Sequence, residues 1–424
     1  MYRAPIRGSK GNRLVTISGV HAQDLRFALD GGAGSDAVHR DPVYAYATAC
    51  LQTDAGVYGT GFALTLGDGN DLVCTAIQAL GASLVGCEIE ELMADFGRVS
   101  REIADNPRWR WLGPHKGVVH LALAALSNAC YDLWAKSRGV PLWRLLLDLT
   151  PRQLVDTLDL SFCEDVLAPA QAVAMLESEM AGRHERLTAL GGKFPGYDTS
   201  AGWFGYSDER IRDEVLRSLD QGFRAVKLKV GSGDPRRDLR RARIVRETAG
   251  DSVTVLLDVN QQWRPDVAAA RALEFGDIGP YWVEEPTHPD DLAAHVRIVR
   301  EISPLRVAAG EHLPNRVVFK NYLQSGALHF AQADCVRLGG VGEFLAVSLM
   351  ARKSGIPVVP HVGDMGQVHQ HLVVFNRVAL GDSCPFLEHI PHLSEHFRHP
   401  AVVADGSYHF PQEPGSSSDF NVSS

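Results

Sequence analysis

Short apolar runs that carry a charged residue at or near their end recur through the second half of the chain. They lie at residues 226–230, 256–260, 282–286 and 308–312, and most of their other residues are apolar or β-branched. Strands of a parallel sheet are buried on both faces, and the residues that carry out chemistry lie at their carboxyl ends. The runs therefore predict parallel strands whose charged ends meet at one edge.

The charged ends return at a regular interval. From Lys229 onwards the candidates follow one another at 23 to 29 residues, about the length of one strand, one helix and two loops. Apolar residues at mixed three- and four-residue spacing between them predict helices, and a run at 158–162 is taken as the first strand. The pattern predicts an α/β barrel of TIM type with eight parallel strands. Its strand ends are Lys229, Asp258, Glu284, Glu311, Asp334, His361 and Glu388, and its helices are 240–247, 267–275, 292–302, 316–323 and 342–353.

The first 150 residues lack this repeat. Runs in which apolar and polar residues alternate, together with a glycine-rich turn, predict a small antiparallel sheet that is followed by helices. The glycine-rich residues 31–39 are either a tolerated surface loop or a mobile lid. The serine-containing tail beyond Pro411 is expected to be frayed. The predicted strands include 14–17 and 44–48, residues 56–61 are predicted as a turn and the return of the chain, and the predicted helices are 72–84, 89–106 and 118–138.

The composition of the chain limits the classes of partner that it is expected to bind. A net charge of -9 argues against nucleic acid and anionic membrane surfaces and favours cations and small molecules. The longest apolar run, residues 117–134, is interrupted by polar side chains, so no membrane span is predicted. Residues 1–7 lack the apolar core of a secretion signal, and the seven cysteines form no Cys-x-x-Cys pair. These observations predict a cytoplasmic protein with reduced thiols.

Asp258, Glu284 and Glu311 are candidate metal ligands. A lone carboxylate is usually solvated, but three at successive strand ends converge and offer the oxygen ligands that magnesium prefers. Without a metal they would repel, and at least one would have a raised pKa. Glu285 alternates to the opposite face and is expected to form an ion pair instead.

Lys227 and Lys229 are two residues apart and share one face of their strand. Lysines on so apolar a strand are unfavourable unless they serve a site. A neighbouring ammonium and a metal ion would lower the pKa of one lysine, which could then act as a base. The alternative is that both lysines only balance the carboxylates.

Asp334 and His361 end successive strands, and the carboxylate is expected to hydrogen-bond the imidazole and fix its tautomer. The histidine would then face the lysines across the barrel as an acid opposite a base. Glu388 is the last of the charged strand ends around the barrel. His312 is a weaker candidate for a residue of the active site. The aromatic segment 196–206 either caps the apolar rim or forms one wall of a pocket.

This series of motifs resembles the enolase superfamily, in its mandelate racemase/muconate lactonizing enzyme branch. The motifs are Lys-x-Lys at 227–229, Asp-x-Asn at 258–260, Glu-Glu-Pro at 284–286, Gly-Glu at 310–311, and Asp334 with His361. Longer stretches are similar to the L-fuconate dehydratases, and they lie at 35–42, 111–122, 203–209, 258–263 and 315–320.

The resemblance implies a fold that replaces the strict eightfold barrel. Residues 151–392 would form a modified (β/α)7β TIM-type barrel, and residues 1–150 an α+β capping domain to which residues 393–424 return. One Mg²⁺ per active site is implied, together with a role for each matching residue. Lys229 would be the base, Lys227 its companion and His361 the acid oriented by Asp334; Asp258, Glu284 and Glu311 would bind the metal; and Glu388, Asn260, Asp36 and Trp203 would bind substrate.

The implied activity is that of a hydro-lyase that dehydrates L-fuconate or a related aldonate to a 2-keto-3-deoxy acid, in a cytoplasmic homo-oligomer. Residues 362–371 depart from the family pattern, in which this loop is about two residues longer, so the sugar acid stays open. Three alternatives also stay open: a racemase, epimerase or cycloisomerase of the same superfamily, a Schiff-base aldolase, and a non-catalytic barrel that binds a ligand.

Overall fold

A computed structural model describes residues 14–29, 31–113 and 115–421. The expectation about residues 1–7 therefore concerns a segment outside the described residues. The chain begins with an antiparallel sheet in the order β1-β2-β3, formed by Ile17–Ala28, Val43–Thr53 and Gly59–Leu66. The prediction of a strand at 14–17 is wrong in its bounds, because the strand begins where that run ends and continues through an alternately buried stretch.

Helices cover this sheet. The predicted helix at 89–106 is broken, and the break lets Phe96 turn inwards against the ring of Tyr131. The helices of this part are α1 (Asn70–Gly81), α2 (Ile89–Met93), α3 (Phe96–Ala104), α4 (Gly117–Ser137), α5 (Leu142–Asp148) and α6 (Pro151–Asp156).

Helix α4 is long and apolar enough to cross a membrane by length and composition, contrary to the sequence-based expectation. In the structure, 89% of its apolar window is buried inside the protein. The Asn128 side chain donates to the Cys335 carbonyl at 3.1 Å and accepts from the Val341 amide at 2.9 Å. The apolar surface of α4 is thus accounted for by its place between the sheet and the barrel.

Gly61 on β3 allows the sheet to approach α4 closely. A Cβ atom there would clash with the Ala125 carbonyl oxygen and the Ala129 amide nitrogen. We expect Gly61→Ala to lower the free energy of unfolding by about 1 to 3 kcal/mol, the usual cost of overpacking. Gly276→Ala is the matched control, because none of the described residues places an atom within 4 Å of its added methyl group, apart from its own chain neighbours. Equal denaturation midpoints for the two variants would contradict this packing.

The barrel strands are parallel in the order β4-β5-β6-β7-β8-β9, and the last strand, β10, pairs with β4. A bridge from Ala331 to Val358 extends this order. The prediction that 158–162 is the first strand is wrong: this segment is irregular, with Leu158 and Leu160 buried and Phe162 exposed at a positive φ. The strands are β4 (Lys193–Asp198), β5 (Ala225–Lys229), β6 (Thr254–Asp258), β7 (Val283–Glu284), β8 (Val307–Ala309), β9 (Phe330–Ala331) and β10 (Leu387–His389).

Helices alternate with these strands, as predicted. Two of them, α7 (Pro169–Ser178) and α8 (Arg183–Leu190), precede β4. The fold is therefore the modified (β/α)7β barrel with an α+β cap, whereas the exact domain boundaries stay predictions. The remaining helices are α9 (Asp208–Asp220), α10 (Pro235–Ala249), α11 (Ala268–Leu273), α12 (Leu292–Glu301), α13 (Arg316–Ser325), α14 (Val341–Ser354) and α15 (Val368–Phe375).

The C-terminal segment packs on both parts. Strands β11 (Val403–Ala404) and β12 (Ser407–His409) form a hairpin, and β12 adds to β4. The expectation that the tail is frayed is wrong as far as residue 421, because its serines are buried and Asp419 binds Lys136 of α4 at 2.9 Å.

Candidate active site

A cavity of about 180 Å³ lies where the carboxyl ends of the barrel strands meet the cap. The barrel contributes Lys229, Glu311 and His361 to its wall, and the cap contributes Asp36 and Tyr44. The structure thus brings predicted residues from distant parts of the chain to one enclosed space. The other predicted residues that line it are Asn260, Trp203, Glu388 and His312.

Lys227 lies beneath this cavity with no exposed side-chain surface. Its Nζ atom is 2.6 Å from Glu388 Oε1 and 3.0 Å from Glu284 Oε1. Lys229, two residues on, reaches the cavity wall, and its Nζ atom is 2.5 Å from Asp258 Oδ2. The two lysines therefore share a face as predicted, but only Lys229 is placed to touch a ligand.

The pKa of Lys229 is raised, so the prediction of a lowered pKa is wrong for the protein groups alone. Burial lowers it, and Lys227 adds to that effect, but the adjacent Asp258 carboxylate outweighs both. The prediction considers only the neighbouring ammonium and a metal ion, whereas the charge of the close Asp258 carboxylate has the larger effect on the pKa. In this arrangement Lys229 is an ammonium group.

Asp258 and Glu284 lie side by side on β6 and β7 and are completely buried. Burial, followed by the charge of Asp258, raises the pKa of Glu284 to about 8, and burial also raises the pKa of Glu311. These shifts agree with the prediction that at least one of the three carboxylates has a raised pKa without a metal. The expected close convergence is not complete: in the described part of the chain the three do not bring ligand atoms within 4.8 Å of one another, whereas Glu285, Glu311 and His312 do.

The carboxylates nevertheless fit a hard cation. Glu311 Oε2 is buried and lacks a hydrogen-bonding partner among the described residues, although His361 Nε2 lies 3.2 Å away. A buried, unpaired carboxylate oxygen is costly unless a cation or a donor satisfies it. The donor set is all oxygen, as magnesium prefers. The lysine ammonium groups supply the compensating charge in the present arrangement.

His361 and Asp334 form the predicted hydrogen bond, with 2.7 Å between His361 Nδ1 and Asp334 Oδ2. Burial lowers the pKa of His361, but the charge of Glu311 and the bond to Asp334 raise it to about 9. The ring is therefore protonated at neutral pH, with its Nε2 side towards Glu311 and the cavity. That is the form a general acid requires.

Glu388 and Asn260 are held by their surroundings. Glu388 Oε1 accepts from Thr199 at 2.5 Å, and Oε2 accepts from the Val362 amide at 3.1 Å. Asn260 has a positive φ of 46°, and its buried side-chain oxygen has no hydrogen-bonding partner among the described residues. Both residues line the cavity, and the side-chain oxygen of Asn260 is available to accept a hydrogen bond from a ligand.

The glycine-rich cap segment 31–39 lies over the cavity and is bonded to the barrel. Ser35 Oγ accepts from the Gly205 amide at 2.8 Å, and the Ser35 carbonyl accepts from the Phe204 amide at 3.0 Å. Asp36 is turned into its own loop, where its carboxylate accepts from the His39 amide at 2.6 Å. The segment is placed as a lid would be; whether it opens stays a prediction.

Trp203 forms part of the cavity wall, which favours the interpretation of its aromatic segment as one wall of a pocket.

Glu285 forms the predicted ion pair, with its Oε1 2.9 Å from His312 Nδ1. Its positive φ of 42° breaks the regular alternation that placed it on the opposite face.

Gln261 and Arg337 also line the cavity, and the sequence analysis did not predict them. Each follows a predicted strand end by three residues.

Comparisons with known proteins agree with this geometry. Residues 210–423 match the profile described as "Enolase C-terminal domain-like", and residues 37–146 match that of the "Mandelate racemase / muconate lactonizing enzyme, N-terminal domain". The chain belongs to the enolase superfamily. Its branch is the mandelate racemase/muconate lactonizing enzyme group, as the motifs predicted.

This superfamily member has full-length relatives. The L-galactonate dehydratase of Hypocrea jecorina is 42% identical over 411 residues, which cover 95% of this chain and 91% of that protein. Mitochondrial enolase superfamily member 1 of Homo sapiens is 40% identical over 418 residues, covering 96% and 94%. The crystal structure of the human protein superposes with a TM-score of 0.93 over 96% of this chain and 95% of that one, at 38% identity.

A racemase from Streptomyces coelicolor A3(2), crystallised with bound magnesium, is similar at 25% identity, with a TM-score of 0.75 over 96% of this chain and 97% of that one.

Proposed function

We propose that this protein is a magnesium-dependent hydro-lyase that removes water from an acid sugar and yields a 2-keto-3-deoxy acid. The observation that carries the proposal is the placement of Lys229 and a protonated His361 on the wall of one small cavity, with Glu311, one of the proposed metal ligands, 3.2 Å from the histidine. Such an arrangement offers a base and an acid to one bound molecule. The similarity to an L-galactonate dehydratase over nearly the whole chain supports the same class of reaction.

Asp258, Glu284 and Glu311 would hold the magnesium ion. All three offer oxygen donors; Asp258 and Glu284 are completely buried, and Glu311 lines the cavity. The pKa values of Glu284 and Glu311 are raised, and Glu311 Oε2 has no hydrogen-bonding partner among the described residues. When bound, the ion would supply positive charge beside the substrate carboxylate. The magnesium in the Streptomyces coelicolor racemase structure supports this choice of metal.

Lys229 takes the proton from the carbon next to the substrate carboxylate in this proposal. The amine must be neutral to do so, which requires that Asp258, now 2.5 Å from it, be engaged by another cation. Lys227 keeps its charge, because it is fully buried among carboxylates, and it stabilises negative charge at the floor of the site. Nε2 of His361 then gives its proton to the departing 3-hydroxyl group, while Asp334 holds Nδ1.

The cap side of the cavity suggests which sugar acid is used. Val38, Tyr44, Leu64 and Leu66 place apolar surface there, beside the polar Asp36. Apolar side chains suit the terminal methyl group of a 6-deoxy acid better than a terminal hydroxyl group. We therefore propose L-fuconate as the substrate, with L-galactonate, its 6-hydroxy counterpart, as the close competitor.

The test is a comparison of kcat/KM for the two acids, with keto-acid formation as the assay. L-Fuconate should be preferred by roughly 10- to 100-fold, since an apolar pocket rejects an added hydroxyl group only to about that extent. A preference for L-galactonate would overturn the choice of substrate while leaving the reaction class intact. Inversion at the α-carbon without any keto acid would instead indicate a racemase or epimerase.

The cellular setting follows from composition and resemblance alone. We propose a cytoplasmic homo-oligomer whose partner is a small acid rather than nucleic acid or membrane, as the net charge of -9 favours. Sedimentation of the purified protein tests the oligomer: a single species at the monomer mass of 46.2 kDa would contradict it.

A further inference from the structure

Asp334 binds two histidines, and the mechanism above uses only one of them. Its Oδ2 atom faces His361 Nδ1, and its Oδ1 atom lies 2.8 Å from Nε2 of His369. The Val336 amide donates to the same Oδ1 atom at 2.9 Å. Asp334 has no exposed surface, so these three donors are what hold the carboxylate in place.

His369 lies in the first turn of α15, within residues 362–371, which depart from the family pattern. It is completely buried, and its Nδ1 atom has no hydrogen-bonding partner among the described residues. The Cys335 thiol lies within 4.8 Å of the ligand atoms of Asp334 and His369. A buried imidazole with one unsatisfied nitrogen is unfavourable as plain packing. Its ring is hydrogen-bonded to Asp334 through Nε2.

We propose that His369 is a positioning residue for the acid step of the reaction, acting through Asp334. The Nε2–H group of His369 and the Val336 amide fix Oδ1 and with it the plane of the carboxylate. Oδ2 is then directed at Nδ1 of His361, which aims the Nε2–H bond of His361 into the cavity. This assignment rests on the proposed function, because it supposes that His361 is the acid.

Loss of the His369 donor frees the Asp334 carboxylate to rotate. The orientation of the His361 ring is then less restricted. Lys229 keeps its position, because it reaches the cavity from β5 and is bonded to Asp258. Residues that orient a working group in this way typically contribute 10- to 100-fold in activity. The acid step should therefore suffer more than the abstraction of the α-proton.

The test compares two rates in heavy water with magnesium present: keto-acid formation, and deuterium uptake at the α-carbon of recovered substrate. In His369→Leu, dehydration should fall by roughly 10- to 100-fold, and deuterium uptake should be retained. His369→Gln should restore most of the dehydration, because its amide nitrogen takes the place of Nε2 as a donor. An equal fall in both rates, or no recovery in the glutamine variant, would overturn the proposal.

His371→Leu is the matched control. It is the same substitution at another completely buried histidine of α15, but that ring binds the Trp143 amide rather than Asp334. The ratio of the two rates should stay at its wild-type value. If His369→Leu does not fold, His369→Asn replaces it, since the shorter amide cannot reach Oδ1. A changed ratio in the His371 variant would contradict the specific role of His369.

A second measurement does not depend on turnover. With ¹⁵N-labelled histidine, the Nδ1 proton of His361 is observed by NMR, and its exchange with water reports how firmly Asp334 holds it. In His369→Leu this exchange should be at least about tenfold faster than in the wild type. Unchanged exchange would overturn the positioning role. If the wild type dehydrates no acid sugar, the proposed function fails, and this measurement still decides the role of His369.

Discussion

His361→Asn should lose dehydration and keep proton abstraction. The 3-hydroxyl group is a poor leaving group without an acid, so keto-acid formation should fall by at least about 10²-fold, the usual contribution of general acid catalysis. Lys229 remains in the cavity wall and can still take and return the α-proton. Because its ammonium hydrogens exchange with solvent, deuterium from heavy water should appear at the α-carbon of recovered substrate.

Lys229→Ala is the counterpart, and it should show neither deuterium uptake nor product. Thermal denaturation and magnesium titration of both variants establish that fold and metal binding remain. Exchange that survives in Lys229→Ala but vanishes in His361→Asn would make the histidine the base. That result would assign the opposite configuration at the α-carbon to the preferred substrate.

Glu284→Gln should nearly abolish turnover because it removes a charged ligand from the proposed magnesium site. We expect magnesium affinity to fall by more than the roughly 10- to 100-fold that loss of a supporting residue costs. The amide still packs below Trp282, whose Nε1 lies 3.1 Å from the present Oε2, so the fold should remain. Isothermal titration with magnesium gives the affinity directly.

Glu285→Gln is the matched control for the metal site. Glu285 is the next residue, is equally buried and, with Glu311 and His312, belongs to the group whose ligand atoms lie within 4.8 Å of one another. If the metal binds Glu284, the Glu285 variant should lose much less affinity. A greater loss in Glu285→Gln than in Glu284→Gln would move the metal to that second group and contradict the ligand assignment.

Much of the barrel could be predicted because its signal is local and repeated. The run before Asp258 is apolar, and the run before Lys229 is apolar apart from Lys227; they form β6 and β5 at the predicted positions. The first strand could not be found in this way. Its sequence contains Pro195 and Gly196, which weaken a strand pattern, and it gains its partners from β5, β10 and β12 across the chain. The apolar run at 158–162 was the stronger local signal but packs as irregular chain.

In the candidate site, too, some features could be predicted from the sequence and others could not. The spacing of charged strand ends placed His361 next to Asp334, because neighbouring parallel strands bring their ends together. The pKa of Lys229 could not be predicted, since its sign depends on a 2.5 Å contact with Asp258 that no spacing fixes. The cap residues that close the cavity, such as Tyr44, meet the barrel only through long-range packing.

The central claim is that this cavity dehydrates an acid sugar, and product analysis by NMR tests it most directly. Wild-type protein with magnesium and L-fuconate in heavy water should yield a 2-keto-3-deoxy acid with deuterium at C3, because solvent supplies the proton that replaces the lost hydroxyl group. Activity should vanish on chelation and return with magnesium. Recovery of L-fuconate unchanged, or of its α-epimer alone, from protein shown to bind magnesium would contradict the account.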